Sequence, residues 1–158
     1  MIESRAIYPG PQTVRELSKY VKDIARYVGV PYNIIIGIIW QESKFDPYSY
    51  RYNYNNPKDR SYGLMHLTID TAKWIADSIS DGWGEYISAS ELYDPILNIY
   101  LGSLLVKWLL KKYGNIRDAL AAYNAGSVRK TAYGRYINED YVKAVSTNAI
   151  NIPRQFRI

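Results

Sequence analysis

From Val14 through Leu17, Val21, Ile24, Ala25 and Val28, apolar residues recur at intervals of three and four, as they do on the buried face of an amphipathic helix. The Gly29 to Pro31 segment then stops that pattern. Ile34, Ile35, Ile36, Ile38, Ile39 and Trp40 follow, apolar on every side and interrupted only by Gly37. Their β-branched content suits a strand, whereas Pro31 in a first turn and an unbroken path to Gln41, Glu42 and Ser43 suit a buried helix of about three turns. Helix is the reading adopted. Asp46, which precedes Pro47, is steered away from helical geometry and ends the element.

Tyr48, Tyr50, Tyr52 and Tyr54 then alternate with other residues, so a short strand or ribbon with one tyrosine face is expected before the Asn55, Asn56, Pro57 loop. Thr68 is placed to cap a helix carrying Ala72, Ile75 and Ile79, with Gly82 and Gly84 in the loop beyond. Asp94 before Pro95 marks a helix start, and Ile99, Leu104, Trp108 and Leu109 give that helix a core face before Gly114. Asn115 caps a helix that Gly126 stops, and Asn138, Glu139 and Asp140 open one containing Tyr141, Val142 and Val145. These elements predict a mainly α fold with a small β-ribbon or loop region after the second helix. With no internal repeat or linker, one domain over residues 1–158 is expected.

Composition adds limits. At 47% apolar content, 158 residues can bury a sizeable core. No run of eighteen apolar residues occurs, so membrane insertion is not expected. Residues Met1 to Pro11 carry Glu3, Arg5, Pro9 and Pro11 where a signal peptide needs a continuous apolar stretch; no leader is evident there, and the export route stays open. Twenty Lys and Arg against fifteen Asp and Glu give +5, which suits either a polyanionic partner or simply a well-solvated surface. Those charges are spread along the chain, so no nucleic-acid partner is expected. Without Cys, and with His66 as the sole histidine, disulfides, thiol nucleophiles and a His-rich zinc site are excluded; no metal and no cofactor are expected.

If the Ile-rich element is a helix, Glu42 shares a face with Ile35, Ile38 and Ile39 and points inward. Burial and the negative end of the helix dipole would both raise its pKa, which keeps a proton available for a general acid. The same carboxylate could instead turn to solvent or pair with Lys44.

Downstream blocks weigh on that choice. Glu42-Ser43, Ser61-Tyr62-Gly63-Leu64-Met65-His66-Leu67 with Thr71-Ala72, Asp94-Pro95 with Asn98-Ile99 and Gly102, Ala121-Ala122-Tyr123-Asn124-Ala125-Gly126, and Tyr141-Val142 resemble, in order and spacing, the soluble lytic transglycosylase catalytic domain. The resemblance covers about residues 31–145. It implies a lysozyme-like fold related to goose-type lysozyme, and a groove for alternating N-acetylglucosamine and N-acetylmuramic acid. The implied partner is peptidoglycan, met at the bacterial cell wall by a monomer. A small domain without an evident leader fits delivery by a virus or a secretion machine.

The resemblance also assigns residues. Glu42 matches the single catalytic acid, which protonates the leaving oxygen and then takes a proton from the muramoyl C6 hydroxyl, closing a 1,6-anhydro ring without water. Tyr123 matches the tyrosine whose hydroxyl lies beside that acid, and Tyr141 a second groove tyrosine. Ser43 is expected either to bond substrate or to fix the helix end. Gly63 and Met65 match a Gly-Leu-Met segment in which glycine admits the sugar and methionine lines the groove. Ser61 and Asn124 are further substrate-binding candidates.

Two positions depart from the family pattern. His66 stands where the family has Gln, so it is expected to offer the substrate's acetamido group one hydrogen bond where an amide offers two. Ile69 stands where Pro is usual, at a helix start. The alternating tyrosines suit stacking on sugars, with Arg51, Lys58 and Arg60 near anionic wall groups, or a ribbon half buried against the core. Related lysozymes draw a water-positioning carboxylate from this region, and Asp59 and Asp46 are the candidates, neither fitting a family motif well. The alternatives to lytic cleavage are therefore a hydrolytic lysozyme and a catalytically weak peptidoglycan-binding protein.

Overall fold

The computed structural model describes residues 11–151; the Met1 to Pro11 stretch considered for a leader lies outside them except for Pro11. Helix α1 runs Pro11–Val28 and ends at Gly29, whose φ of 86° lets its N–H return to the Ala25 carbonyl at 2.8 Å. Helix α2, Tyr32–Ser43, follows. Pro31 caps this helix rather than entering its first turn, and its carbonyl accepts from Ile34 and Ile35. The isoleucine run is thus helical despite its strand propensity, because tertiary burial decides: Ile35, Ile38 and Ile39 are wholly buried. Lys44 and Phe45, at φ 51° and 64°, terminate α2 in the left-handed region.

Three short antiparallel strands come next: β1 (Tyr50–Tyr52), β2 (Arg60–Tyr62) and β3 (Leu67–Thr68), in that order across the sheet. The expected ribbon is shorter than the tyrosine alternation. Tyr48 precedes it, in a turn where its N–H bonds the Asp46 carboxylate, and Tyr54 lies in the loop after β1. Arg51, Ser61 and Thr68 stand in register as one row across the three strands, and Tyr50 pairs with Tyr62 in the adjacent row.

Helix α3 (Ile69–Ser78) starts at Thr68, whose hydroxyl accepts from Thr71 N–H. After a single 3-10 turn at Gly84–Tyr86 comes α4 (Ala89–Leu92), closed by a Ser88 and Glu91 capping box. Helices α5 (Pro95–Tyr113) and α6 (Ile116–Ala125) are capped by Asp94 and Asn115, and both stop at left-handed glycines, Gly114 and Gly126. Helix α7 (Glu139–Ile150) packs most extensively against α2. Among the described residues no helix is long and apolar enough to cross a membrane.

Two glycines set the approach of the elements around Glu42. A Cβ on Gly37 would lie 2.9 Å from the Val145 carbonyl oxygen, so its absence lets α2 and α7 come close and run antiparallel, which brings Tyr141 opposite Glu42. A Cβ on Gly102 would strike Met65 Sδ at 2.2 Å, so α5 receives the methionine in a notch.

Candidate active site

Glu42 occupies the last turn of α2, on the face it shares with Ile35, Ile38 and Ile39, and its side chain is 11% exposed. It opens into a cleft of about 300 Å³, at the small end of the usual range for ligand sites. Sheet residues Arg51, Asp59 and Ser61 line the same cleft, as do Tyr123 and Asn124 from α6. Lys44 does not pair with the carboxylate, because its ammonium lies over the Trp40 ring, 4.6 Å from the centroid.

Instead both Glu42 oxygens are engaged from elsewhere. Tyr141 donates its hydroxyl to Oε1 at 2.8 Å. His66 Nδ1 lies 3.1 Å from Oε2, and the other ring nitrogen, Nε2, lies 2.6 Å from Ser49 Oγ. Both ring nitrogens of His66 thus have partners within the protein, and the residue also lines the cleft. The backbone at His66 has φ 48°, a left-handed geometry in which histidine is enriched among non-glycine residues.

The two tyrosines take different hydrogen-bond partners. Tyr123 donates to the Met65 carbonyl at 2.6 Å, and the direct bond to the carboxylate comes from Tyr141. Burial first, then the Glu42 charge, hold both phenols well above the usual tyrosine range. They are therefore neutral donors at any working pH.

Met65, expected along the groove, is wholly buried against Gly102 and is not among the residues lining the cleft. Gly63 serves packing too, since at φ 79° a Cβ there would meet both Leu92 O and Asn98 Nδ2 at 2.4 Å. That close neighbour, Asn98, is wholly buried and holds the turn together. Its amide donates to Tyr62 O and Leu92 O, each at 2.9 Å, and its carbonyl accepts from Met65 N–H at 2.8 Å. Ser43 is buried and donates to Ile39 O at 3.1 Å, so it fixes the helix end. Asn124 is exposed, with its carbonyl oxygen accepting from Asn138 at 2.9 Å.

Within the tyrosine ribbon, Tyr50 packs inside the protein. Tyr50 packs on Tyr62 at 5.4 Å between centroids, and Tyr62 on Tyr93 at 5.7 Å. Alternation therefore delivers Arg51, not the tyrosines flanking it, to the cleft. Lys58 and Arg60 line a separate depression with Tyr62 and Asp70. Of the two candidate carboxylates, Asp46 is bonded in the Tyr48 turn, while Asp59 reaches the cleft with its Oδ2 accepting from Asn53 at 3.0 Å. Ser49 and Asn98 were not singled out as site residues from sequence. Asn98 carried a signal, as part of the Asp94 block, whereas nothing around Ser49 distinguishes it.

Residues 19–145 match the Transglycosylase SLT domain. The chain belongs to this family. Among its relatives, Protein IpgF of Shigella sonnei is 28% identical over 101 residues, covering 64% of this chain and 61% of its own length. The Transglycosylase of Enterobacteria phage PRD1 is 30% identical over 98 residues, covering 60% of this chain and 29% of that one. The crystal structure of the 70 kDa soluble lytic transglycosylase from Escherichia coli superposes with a TM-score of 0.55 at 25% identity, over 82% of this chain and 19% of that one. This SLT-domain chain thus spans less than two thirds of each of these relatives, and its mostly helical fold with a small sheet is shared with the solved structure over the matched part.

Proposed function

We propose that this chain is a peptidoglycan lytic transglycosylase unit that cleaves the β-1,4 bond between N-acetylmuramic acid and N-acetylglucosamine, with Glu42 as acid and then base. The observation that carries the reading is the Glu42 carboxyl at the cleft wall, held by the neutral phenol of Tyr141. In the first half of the reaction the Glu42 proton passes to the glycosidic oxygen as its bond to C1 breaks. In the second half the C6 hydroxyl oxygen bonds to C1 and returns its proton to Glu42. The product ends in a 1,6-anhydro ring, no water is consumed, and the enzyme recovers its starting protonation.

A neutral donor suits this cycle. Tyr141 orients the carboxyl in both protonation states without fixing a cation beside it. Tyr123 acts one step away, tying Met65 and hence the start of β3 to α6 while closing one cleft wall. Ser61 and Asn124 present polar groups to the sugar, and Arg51 offers a cation to an anionic substituent of the wall polymer. Ser43, Gly63 and Met65 support this surface from beneath. The chain acts as one monomeric catalytic domain on glycan strands at the cell wall.

Asp59 favours a second reading. A carboxylate in the same cleft as Glu42 has the composition of a hydrolytic site, in which it would direct water to C1. Digestion of purified peptidoglycan by wild type and Glu42→Gln, with mass analysis of the products, separates the alternatives. Wild type is expected to release muropeptides one water lighter than hydrolysis products, and the variant none. Reducing ends alone would reject the transglycosylase reading, and binding to sacculi without release would reject turnover.

A further inference from the structure

We propose that His66, held by Ser49, is a positioning residue that shares the catalytic proton with Glu42, so that the pair, rather than the carboxyl alone, sets how cleavage depends on pH. This rests on the reading of Glu42 as the acid and base.

The geometry makes a continuous line. Ser49 Oγ, His66 Nε2, His66 Nδ1 and Glu42 Oε2 follow one another at 2.6 Å and 3.1 Å across the ring. Ser49 is buried, and its carbonyl accepts from Gly63 N–H at 2.8 Å. His66 N–H in turn donates to Gly63 O at 3.2 Å. One serine thus grips the turn by its backbone and the imidazole by its hydroxyl, leaving the ring little freedom.

The proton inventory gives the line its function. When Glu42 is ionised and the imidazole neutral, Nδ1–H donates to Oε2 and Nε2 accepts the Ser49 hydroxyl proton. One further proton can sit on Oε2, with Nδ1 accepting it and Nε2–H donating to Ser49. It can equally sit on the ring, making a carboxylate–imidazolium pair. These are two distributions of the same proton count, so the site holds one transferable proton across two groups. Because Tyr141 donates to Oε1, the proton-bearing oxygen is Oε2, the one facing His66. Serine suits the far end, since its hydroxyl donates in one arrangement and accepts in the other.

A lone carboxyl loses its proton in one step, and activity falls with it. With the imidazole in place the transferable proton has two positions, so the alkaline limb of the activity profile reports the pair. Other titratable groups facing the pair are Tyr141 from α7 and Tyr123 from α6, both neutral, and Arg51 and Asp59 from the sheet side. None of these changes when His66 is replaced.

The test is the pH profile of kcat/KM on purified peptidoglycan for wild type, Glu42→Gln, His66→Gln, His66→Asn and Ser49→Ala, with folding checked by thermal melting. Asn tolerates the left-handed backbone at this position, so His66→Asn carries the test if the Gln variant does not fold. Both amide variants are expected to lie within about tenfold of wild type on the acid side, and to lose about tenfold more than wild type on the alkaline side, an alkaline midpoint lower by about one pH unit. Ser49→Ala is expected to move the midpoint the same way by less. Profiles of active His66 variants that superimpose on wild type overturn the inference and leave Glu42 as acid. A Glu42→Gln enzyme as active as wild type overturns the reading beneath it as well.

Discussion

The Tyr141 hydroxyl donates to Glu42 Oε1 at 2.8 Å, joining residues 99 positions apart through the close crossing of α2 and α7. That crossing depends on Gly37, where any side chain would collide with the α7 backbone at Val145.

Tyr141→Phe keeps the ring and its packing while removing that donor. A hydrogen bond to a charged group contributes about 1.5–3 kcal/mol, so kcat is expected to fall by roughly tenfold to a hundredfold with KM little changed. Steady-state kinetics on a soluble glycan strand would check this. An unchanged kcat would remove Tyr141 from the mechanism.

Asn98→Ala addresses the support rather than the chemistry. It strands the carbonyls of Tyr62 and Leu92 and the N–H of Met65 in a buried place. The expected loss is about 2–4 kcal/mol, or a melting temperature lower by roughly 5–15 °C. Calorimetry measures it directly, and a melt within a degree of wild type would show that the turn holds without Asn98.

Alkaline stability follows from the two buried phenols. Their folded pKa values lie well above 10.0, the ordinary value that the unfolded chain would show. Stability from keeping them neutral is therefore fully present below pH 10.0 and declines as pH rises beyond it, because the unfolded chain releases those protons first. Chemical unfolding at a series of pH values should show that decline. It should be smaller in a Tyr123→Phe, Tyr141→Phe double variant.

Much of this architecture was legible from local signals. Asp94 with Pro95, Asn115 and Thr68 marked helix starts because a cap is a one-residue chemical event. The isoleucine run was ambiguous for a physical reason: a segment buried all round has no polar face to reveal its period. Short α4 escaped notice, its Ser88 and Glu91 box spanning only one turn. At the site, motif resemblance pointed to Glu42, Met65, His66, Tyr123 and Tyr141 but not to how they pair, nor to Ser49. Which of two tyrosines bonds the carboxylate depends on helix crossing, and whether methionine faces groove or core depends on Gly102, a distant residue. Ser49 lies among the alternating tyrosines, where nothing local marks it, and the fold buries it.

Asp59→Asn separates the two readings of the cleft carboxylate. If cleavage proceeds by ring closure, the variant is expected to form the same anhydro product at a rate within about fivefold of wild type, since Asp59 takes no proton in that route. Product mass and yield check this. Loss of all products would make Asp59 essential and favour hydrolysis.

The most direct measurement is digestion of purified peptidoglycan in water enriched in oxygen-18, followed by mass analysis of the new glycan ends. Ring closure by the substrate's own C6 hydroxyl, driven by Glu42, predicts anhydro ends carrying no heavy oxygen and their loss in Glu42→Gln. Heavy oxygen at C1 of the new ends would contradict the account, because it would show that Glu42 activates water instead.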